Sequence, residues 1–255
     1  MRHCGACACI VCGYLAPMPK ANSEWTVLAH GPIEHLAENL WWVRGSIPMM
    51  SLKRVMVVVR LNDGRLVIHN GIALEQAAME EIERWGNPAF LIVPNGAHRL
   101  DAPAYKARYP HVQVLCPRGA RTRVEEVVKV DGTYEDFPVD DTVRFETLHG
   151  VADGEGAMIV RSADGQTVVL NDAMFNMDRK RDPLGFLFTT LLGSAPGPRV
   201  SRLAKLAFIK DKSALRADFA RYAELPNLAR VIVAHEKVAS GPAAKDALQA
   251  AMQYL

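Results

Sequence analysis

The two halves of this chain repeat one order of sequence patterns, and this repetition strongly constrains the fold. In the first half, a hairpin pattern at residues 55–69 turns at Asn-Asp-Gly. A helical pattern, the apolar run 89–93 and a short helical pattern follow. The second half has a hairpin pattern at 157–170, a helical region, the strand pattern 229–233 and a closing helix. A fully apolar run predicts a strand buried on both faces. We therefore expect two sheets packed face to face with helices outside, a four-layer α/β/β/α sandwich.

The charge balance and the apolar runs exclude two classes of protein. The chain has 255 residues, with 30 basic and 28 acidic side chains, so no basic surface indicates a nucleic-acid partner. No apolar run reaches the roughly 18 residues of a membrane-spanning helix. The longest candidate, residues 183–197, is interrupted by glycine and proline. We expect a protein without a membrane span that acts on a small-molecule substrate or ligand.

The cysteines divide the chain into two parts. Four of the five lie close together near the start, at Cys4, Cys7, Cys9 and Cys12. Their overlapping C-x-x-C units could hold zinc or an iron–sulfur cluster as thiolates. A zinc module usually places its second pair about 12–20 residues away, so we favour a poorly ordered extension over residues 1–22. Residues 23–255 are then one domain. Its single cysteine, Cys116, predicts a buried thiol and no disulfide framework, which is typical of the cytoplasm.

Four side chains that can bind a metal stand at or just after the ends of predicted strands. They are His98, His149, Asp172 and His235. Functional groups gather where strands end, because the loops there converge on one edge of a sheet. Imidazole and carboxylate are good ligands for a first-row metal, and an open position beside them would activate water. One such histidine alone indicates an ordinary loop residue, but four residues in one structural context favour a metal site.

The order of these segments resembles the metallo-β-lactamase fold superfamily from about residue 25 to the end. The stretch "LIVPNGAHRLDAPAYKARYP" stands at the metal loop of that superfamily, and "LHGVADGEG" stands at its third metal histidine. The stretch "VVLNDAMF" is similar to the segment whose aspartate bridges two metals, and "VIVAHEKV" to the final histidine segment. The Pro-Asn-x-x-His motif in the metal loop resembles that of an uncharacterised branch of the superfamily. The resemblance implies an α/β/β/α sandwich and a metal-dependent hydrolase.

The metal loop departs from the His-x-His-x-Asp-His signature of active members, and it can be aligned in two ways. If it is aligned on the preceding strand, Asn95 takes the first histidine position and His98 matches no ligand. His149, Asp172 and His235 then keep family positions but do not all belong to one metal. If it is aligned on the following helix, His98 takes the last histidine position. His98, Asp172 and His235 would then form one site, with His149 nearby.

Both alignments lose the aspartate that takes a proton from the attacking water, since Ala97 or Arg99 replaces it. General base catalysis contributes about 10²–10⁴ in rate, so any hydrolysis should be weak. Asp101 is a candidate replacement, as is Asp172 where it is not a ligand. Arg99 close to a cation would also be repulsive.

The apolar stretch "GFLFTTLLG" and the basic stretch after it form the other distinctive segment. One interpretation is a lid or a homodimer surface formed by residues 185–208. The other is helix packing on the outer face of a sheet.

Two hypotheses about function follow. The first is a hydrolase of an ester, lactone or thioester with at most one metal, zinc first and iron or manganese second. The second is a binding module on the same fold that has lost metal and activity.

Overall fold

The computed structural model describes residues 20–152 and 154–255. Cys4, Cys7, Cys9 and Cys12, and nearly all of the predicted extension, lie outside the described residues. Asn22 is tied to the domain, because its backbone N–H donates to the carbonyl of Leu100. No helix in these two ranges is long and apolar enough to cross a bilayer.

The first sheet contains seven strands in chain order. They are β1 (Glu34–Ala37), β2 (Leu40–Ile47), β3 (Met50–Arg60), β4 (Arg65–His69), β5 (Asn87–Ile92), β6 (Gln113–Cys116) and β7 (Gly132–Thr133). Strands β1 to β4 pair antiparallel, and β4 to β7 pair parallel. The predicted hairpin is β3–β4, and its turn contains Gly64 at a φ of 85°, which glycine adopts without steric cost.

The second sheet has five strands in the order β12-β11-β10-β9-β8. They are β8 (Val143–Thr147), β9 (Gly156–Ser162), β10 (Gly165–Val169), β11 (Leu228–Ile232) and β12 (Val238–Ser240). Only β10 and β11 pair parallel. Their carboxyl ends therefore lie side by side, and both lead directly into predicted site residues.

Seven α-helices lie in the described ranges. They are α1 (Gln76–Trp85), α2 (Ala102–Arg108), α3 (Arg121–Glu125), α4 (Pro183–Phe186), α5 (Arg202–Ala207), α6 (Lys212–Ala223) and α7 (Pro242–Met252). Asp182, Ser201 and Asp211 cap the starts of α4, α5 and α6 by accepting backbone N–H groups. The predicted helical region between β10 and β11 is thus broken into α4, a π-helical turn at Leu187–Leu191, α5 and α6.

Strand β3 shows why the fold has four layers. Val55 to Val59 are all buried, although successive side chains of a strand point to opposite faces. Val55, Val57 and Val59 pack between the two sheets, whereas Met56 and Val58 pack under the helices. A separate apolar cluster joins the second sheet to α6 and α7. The predicted α/β/β/α sandwich is confirmed.

The stretch before β1, the single cysteine of the domain and the segment 185–208 can each be compared with the sequence predictions. The stretch "EWTVLAH" (residues 24–30), whose sequence predicts a short strand, forms only an isolated bridge between His30 and Gly45, because Trp25 instead packs under the first sheet. Cys116 is fully buried as expected, and burial raises the pKa of its thiol to about 12. In the segment 185–208, Phe186, Leu191 and Leu206 are exposed. The homodimer contact stays a prediction.

Candidate metal centre

Three loops at one edge of the sandwich bring His98, Asp172 and His235 together. The first loop follows β5 and leads to α2, the second follows β10, and the third follows β11. One nitrogen of each imidazole and one carboxylate oxygen all lie within 4.8 Å of one another. This is the arrangement that alignment of the metal loop on the following helix requires.

The two imidazoles converge on one carboxylate oxygen. His98 Nε2 lies 3.2 Å from Asp172 Oδ1, and His235 Nε2 lies 3.4 Å from the same oxygen. The two rings are 5.3 Å apart between centroids and are inclined at 65°. Ligand atoms at about 2.0–2.2 Å from a tetrahedral zinc ion are separated by about 3.3–3.5 Å. Both distances between an imidazole nitrogen and the carboxylate oxygen match this spacing, and all three donors lie within 4.8 Å.

His235 is held in the orientation that a metal ligand requires. Its Nδ1 lies 2.7 Å from the carbonyl oxygen of Lys53, which can only accept, so Nδ1 carries the proton. Phe175 stacks on the ring at 5.6 Å. Such a backbone partner fixes the tautomer and directs Nε2 toward the metal. Burial lowers the pKa of His235, but the hydrogen bond and charge of Asp172 outweigh this effect and raise it.

Asp172 is kept ionised in this setting. Burial on its own would raise the pKa of its carboxyl, but His98 and His235 lower it well below the usual range. Asp172 Oδ2 accepts a hydrogen bond of 3.0 Å from the side-chain amide of Asn95. The carboxylate is thus present as an anion with one oxygen, Oδ1, facing both imidazoles.

Asn95 organises the loop that contains His98. Its Oδ1 accepts the backbone N–H groups of Ala97 and His98 at 2.8 and 2.9 Å, which forms an Asx-type turn. Its Nδ2 donates to Asp172 and also to Glu155 Oε1 at 3.1 Å. One amide therefore positions the His98 backbone and the Asp172 carboxylate together.

Glu155 is a buried acid beside the cluster that the sequence interpretation missed. Only 4% of it is exposed, and its Oε1 accepts the backbone N–H of Asp172 at 2.7 Å. Burial, together with the negative charge of Asp172, raises the pKa of Glu155 to about 8. Its Oε2 has no hydrogen-bond partner within the described ranges. The available signal was an acidic residue placed directly before the apolar strand β9.

Solved metallo-β-lactamases share this architecture. DIM-1, in a crystal exposed to ceftazidime, aligns with a TM-score of 0.61 and 12% identity over 90% of this chain and 97% of that one. The enzyme from Erythrobacter litoralis gives 0.59 and 11% over 88% and 96%. The enzyme from Pontibacter korlensis gives 0.55 and 11% over 87% and 97%. The chain has the metallo-β-lactamase fold. No protein-family model and no curated protein sequence matches it.

The metallo-β-lactamase fold implies a metal, and the donor set fits one. The cluster supplies two imidazoles and one ionised carboxylate, and three protein ligands with an open position are typical of catalytic zinc. The orientation of His235 by a backbone carbonyl is a second, independent feature of such sites. His98, Asp172 and His235 are therefore the candidate ligands for one ion.

The structure does not bring His149 into this cluster. His149 follows β8, and its side chain is 74% exposed. Its Nδ1 lies 3.1 Å from both carboxylate oxygens of Asp218 on α6, and its backbone N–H donates to the same carboxylate at 2.6 Å. The loop after β8 thus turns toward the outer helices.

Asp101 also lies outside the cluster. It is 1% exposed, and its Oδ2 pairs with Arg54 Nη2 at 2.6 Å and accepts the backbone N–H of Ala73. Its Oδ1 accepts the side-chain amide of Asn22 at 2.7 Å. Both oxygens are engaged, so nothing in this arrangement leaves Asp101 facing a water as a base.

Two charged neighbours of the site are directed elsewhere. The guanidinium of Arg99 pairs with Glu126 at 2.7 Å and donates to the carbonyl of Arg123, so its charge is balanced near α3. Glu236 is buried rather than solvent-exposed, and it pairs with Lys180 instead of accepting a proton from His235. His69 is buried as well, and burial lowers its pKa to about 3.

Proposed function

We propose that this protein is a metal-dependent hydrolase with one metal ion, bound by His98, Asp172 and His235. The observation that carries the proposal is the convergence of these three donors within 4.8 Å, with His235 held in a ligand tautomer. Their nitrogen and oxygen chemistry favours zinc, with iron or manganese next. The expected substrates contain an ester, lactone or thioester carbonyl.

The contacts of Asn95 support a single metal. Asp172 Oδ2, the oxygen turned away from the imidazoles, accepts the Asn95 amide and so faces an N–H donor. The same amide nitrogen also donates to Glu155, whose raised pKa keeps it neutral near pH 7. A neutral amide and a neutral acid thus lie on the side of Asp172 opposite the imidazoles, where they offer a second cation little charge.

The chain's own residues would bind and orient the reacting groups. When bound, the metal would supply a Lewis acid that lowers the pKa of a coordinated water and polarises a carbonyl. His235 keeps its ring fixed through Lys53 and Phe175, and Asp172 keeps its carboxylate fixed through Asn95. The two predicted proton acceptors, Asp172 and Asp101, are both engaged with other groups, so turnover should be slow.

One observation favours the second hypothesis, a binding module without catalysis. Asp172 has contacts from His98, His235 and Asn95, so the cluster is a closed polar network even without an ion. Such a network could persist in a protein that binds a ligand and transforms nothing.

Metal analysis of protein purified without chelator tests the proposal. We expect about one ion per chain in the wild type, and loss of that ion in His235→Ala. His149→Ala is the matched control, because it removes a strand-end histidine outside the cluster and should retain the ion. Esterase, lactonase and thioesterase assays on the same proteins should show turnover that follows metal content. Less than roughly 0.2 ion per chain after supplying zinc, iron and manganese would refute a metal site of ordinary affinity.

A further inference from the structure

A small cavity opens directly beside the candidate metal centre. Its volume is about 90 Å³, and His98 and His235 form part of its wall. By the same kind of measure one water molecule occupies roughly 10–15 Å³, so the cavity can take a small functional group rather than a whole large substrate. Ile47, Ala97 and Leu100 give it apolar sides, and Arg54 and Asn70 give it polar ones.

Arg54 is a buried cation that faces this cavity with unused donors. Its side chain is 5% exposed, and it belongs to β3, next to the Lys53 carbonyl that holds His235. Its Nε donates to the carbonyl of Ser46 at 3.1 Å, and its Nη2 pairs with Asp101. Among residues 20–152 and 154–255, no acceptor lies in hydrogen-bond geometry to Nη2, although Asp101 Oδ2 is only 2.6 Å away. A buried guanidinium with an unsatisfied N–H group is costly unless something accepts from it.

The carboxylate that balances the charge of Arg54 does not itself line the cavity. The carboxylate of Asp101 is shared between three donors, because Asn22 and the backbone N–H of Ala73 bind it as well as Arg54. The nearby Arg99 pairs with Glu126. Neither Asp101 nor Glu126 lines the cavity. The charged or titratable residues that do line it are Arg54, Arg99, His98 and His235. The cavity wall is therefore suited to an anion.

The geometry points to Arg54 as the residue that recognises a carboxylate group of the substrate. This inference rests on the proposed function for the position of the reacting carbonyl, which would lie at His98 and His235. A planar carboxylate fits the fork of a guanidinium better than it fits a point charge such as lysine. The apolar sides formed by Ile47, Ala97 and Leu100 would contact the carbons next to that carboxylate. The substrate class is then a carboxylated ester, lactone or thioester.

Binding of two matched probes to metal-free protein tests this without any turnover. Butyrate and butyramide have nearly the same shape, and in the absence of metal the carboxylate has no ion to bind. We expect butyrate to bind at least about tenfold more tightly than butyramide, because a charge-assisted hydrogen bond contributes about 1.5 kcal/mol or more. Equal affinities, or tighter binding of inorganic phosphate than of butyrate, would overturn the carboxylate assignment.

The variants Arg54→Lys and Arg60→Lys sharpen the test. Both arginines lie on β3, but Arg60 is exposed. Arg54→Lys keeps a positive charge opposite Asp101 and should lower butyrate affinity at least about tenfold, whereas Arg60→Lys should leave it unchanged. An unchanged affinity in a folded Arg54→Lys protein contradicts the inference. Should that variant unfold in circular dichroism, the comparison of the two probes on wild-type protein still decides.

The inference and the proposed function fail in different ways. If the zinc-loaded protein hydrolyses neutral esters as fast as carboxylated ones, the hydrolase proposal is supported and the proposed role of Arg54 is refuted. If no metal or turnover is found but metal-free protein binds butyrate selectively through Arg54, the carboxylate site is supported and the hydrolase proposal is refuted.

Discussion

Two histidine–aspartate pairs in this protein arise from similar sequence contexts and have different surroundings. His235 and His149 both follow a strand, and both contact an aspartate. His235 is 7% exposed and shares its aspartate with a second imidazole. His149 is 74% exposed, and its aspartate also pairs with Arg221. The two pairs contain the same residue types. They differ in the direction of the loop after the strand, which brings His235 into the candidate metal cluster and leaves His149 at the surface.

Removal of one histidine from each pair should have the largest effect. His235→Ala deletes a ligand, so we expect zinc affinity to fall more than about 100-fold, which exceeds the 10–100-fold typical of outer-shell partners. His149→Ala should leave affinity within about twofold. Competition with a chelating dye measures both values. Comparable losses in the two variants would mean that the cluster is not the metal site.

The Asn95 amide should contribute much of the stability of the loop that contains His98 and of its contact with Asp172. Asn95→Ala removes four hydrogen bonds, two to backbone N–H groups and two to carboxylates. At about 0.5–1.5 kcal/mol each, we expect the free energy of unfolding to fall by roughly 2–6 kcal/mol. Urea unfolding measures the change. A decrease smaller than about 0.5 kcal/mol would show that the loop does not depend on this side chain.

The buried site should also make the stability of metal-free protein depend on pH. Glu155 has a raised pKa of about 8 in the folded state against 4.5 for an ordinary glutamate, so folding favours its protonated form. Its contribution is present below about pH 4.5 and is lost as the pH rises toward 8. The raised pKa of His235 acts in the same direction above pH 6.5. The lowered pKa of His69, about 3, acts in the opposite direction below pH 6.5. The free energy of unfolding should therefore fall by up to a few kcal/mol mainly between pH 6.5 and pH 8.

Glu155→Gln tests the origin of this dependence, because a glutamine stays neutral at every pH. The variant should show a flatter profile between pH 6.5 and pH 8 in urea unfolding than the wild type does. An identical slope in the two proteins would assign the dependence to other groups.

The smallest effect is expected at the exposed pair. His149→Ala removes the imidazole contact to Asp218, but the backbone N–H of residue 149 and Arg221 still bind that carboxylate. The loss of unfolding free energy should be about 1 kcal/mol or less. Thermal unfolding in calorimetry measures it. A loss above about 3 kcal/mol would show that the contact between His149 and Asp218 contributes far more to stability than a surface contact does.

The fold could be predicted from the sequence because its signals are local. The apolar run 89–93, the strand pattern 229–233 and the Asn-Asp-Gly turn specify strands and a hairpin without knowledge of distant residues. The predicted strand at residues 24–30 is the exception: Trp25 packs under the first sheet and donates its Nε1–H to the carbonyl of Leu74, a contact that no local pattern encodes.

The site could be predicted only in part because its contacts are long-range. Asp172 meets Asn95 across 77 positions of the chain, and Arg54 meets Asp101 across 47. His98 and His235 were recognisable as strand-end ligands, but the direction of the loop that carries His149 depends on Asp218 in a later helix. Glu155 and Arg54 were missed because burial of a charged side chain leaves no trace in the local pattern.

X-ray absorption on zinc-loaded full-length protein tests the central claim most directly, because it reports the ligand atoms themselves. The account predicts nitrogen and oxygen ligands at about 2.0–2.2 Å, outer-shell scattering from two imidazoles, and loss of one imidazole's contribution in His235→Ala. Sulfur scattering at about 2.3 Å would place the zinc on cysteines such as Cys4 and Cys7 instead, and would contradict the assignment to His98, Asp172 and His235.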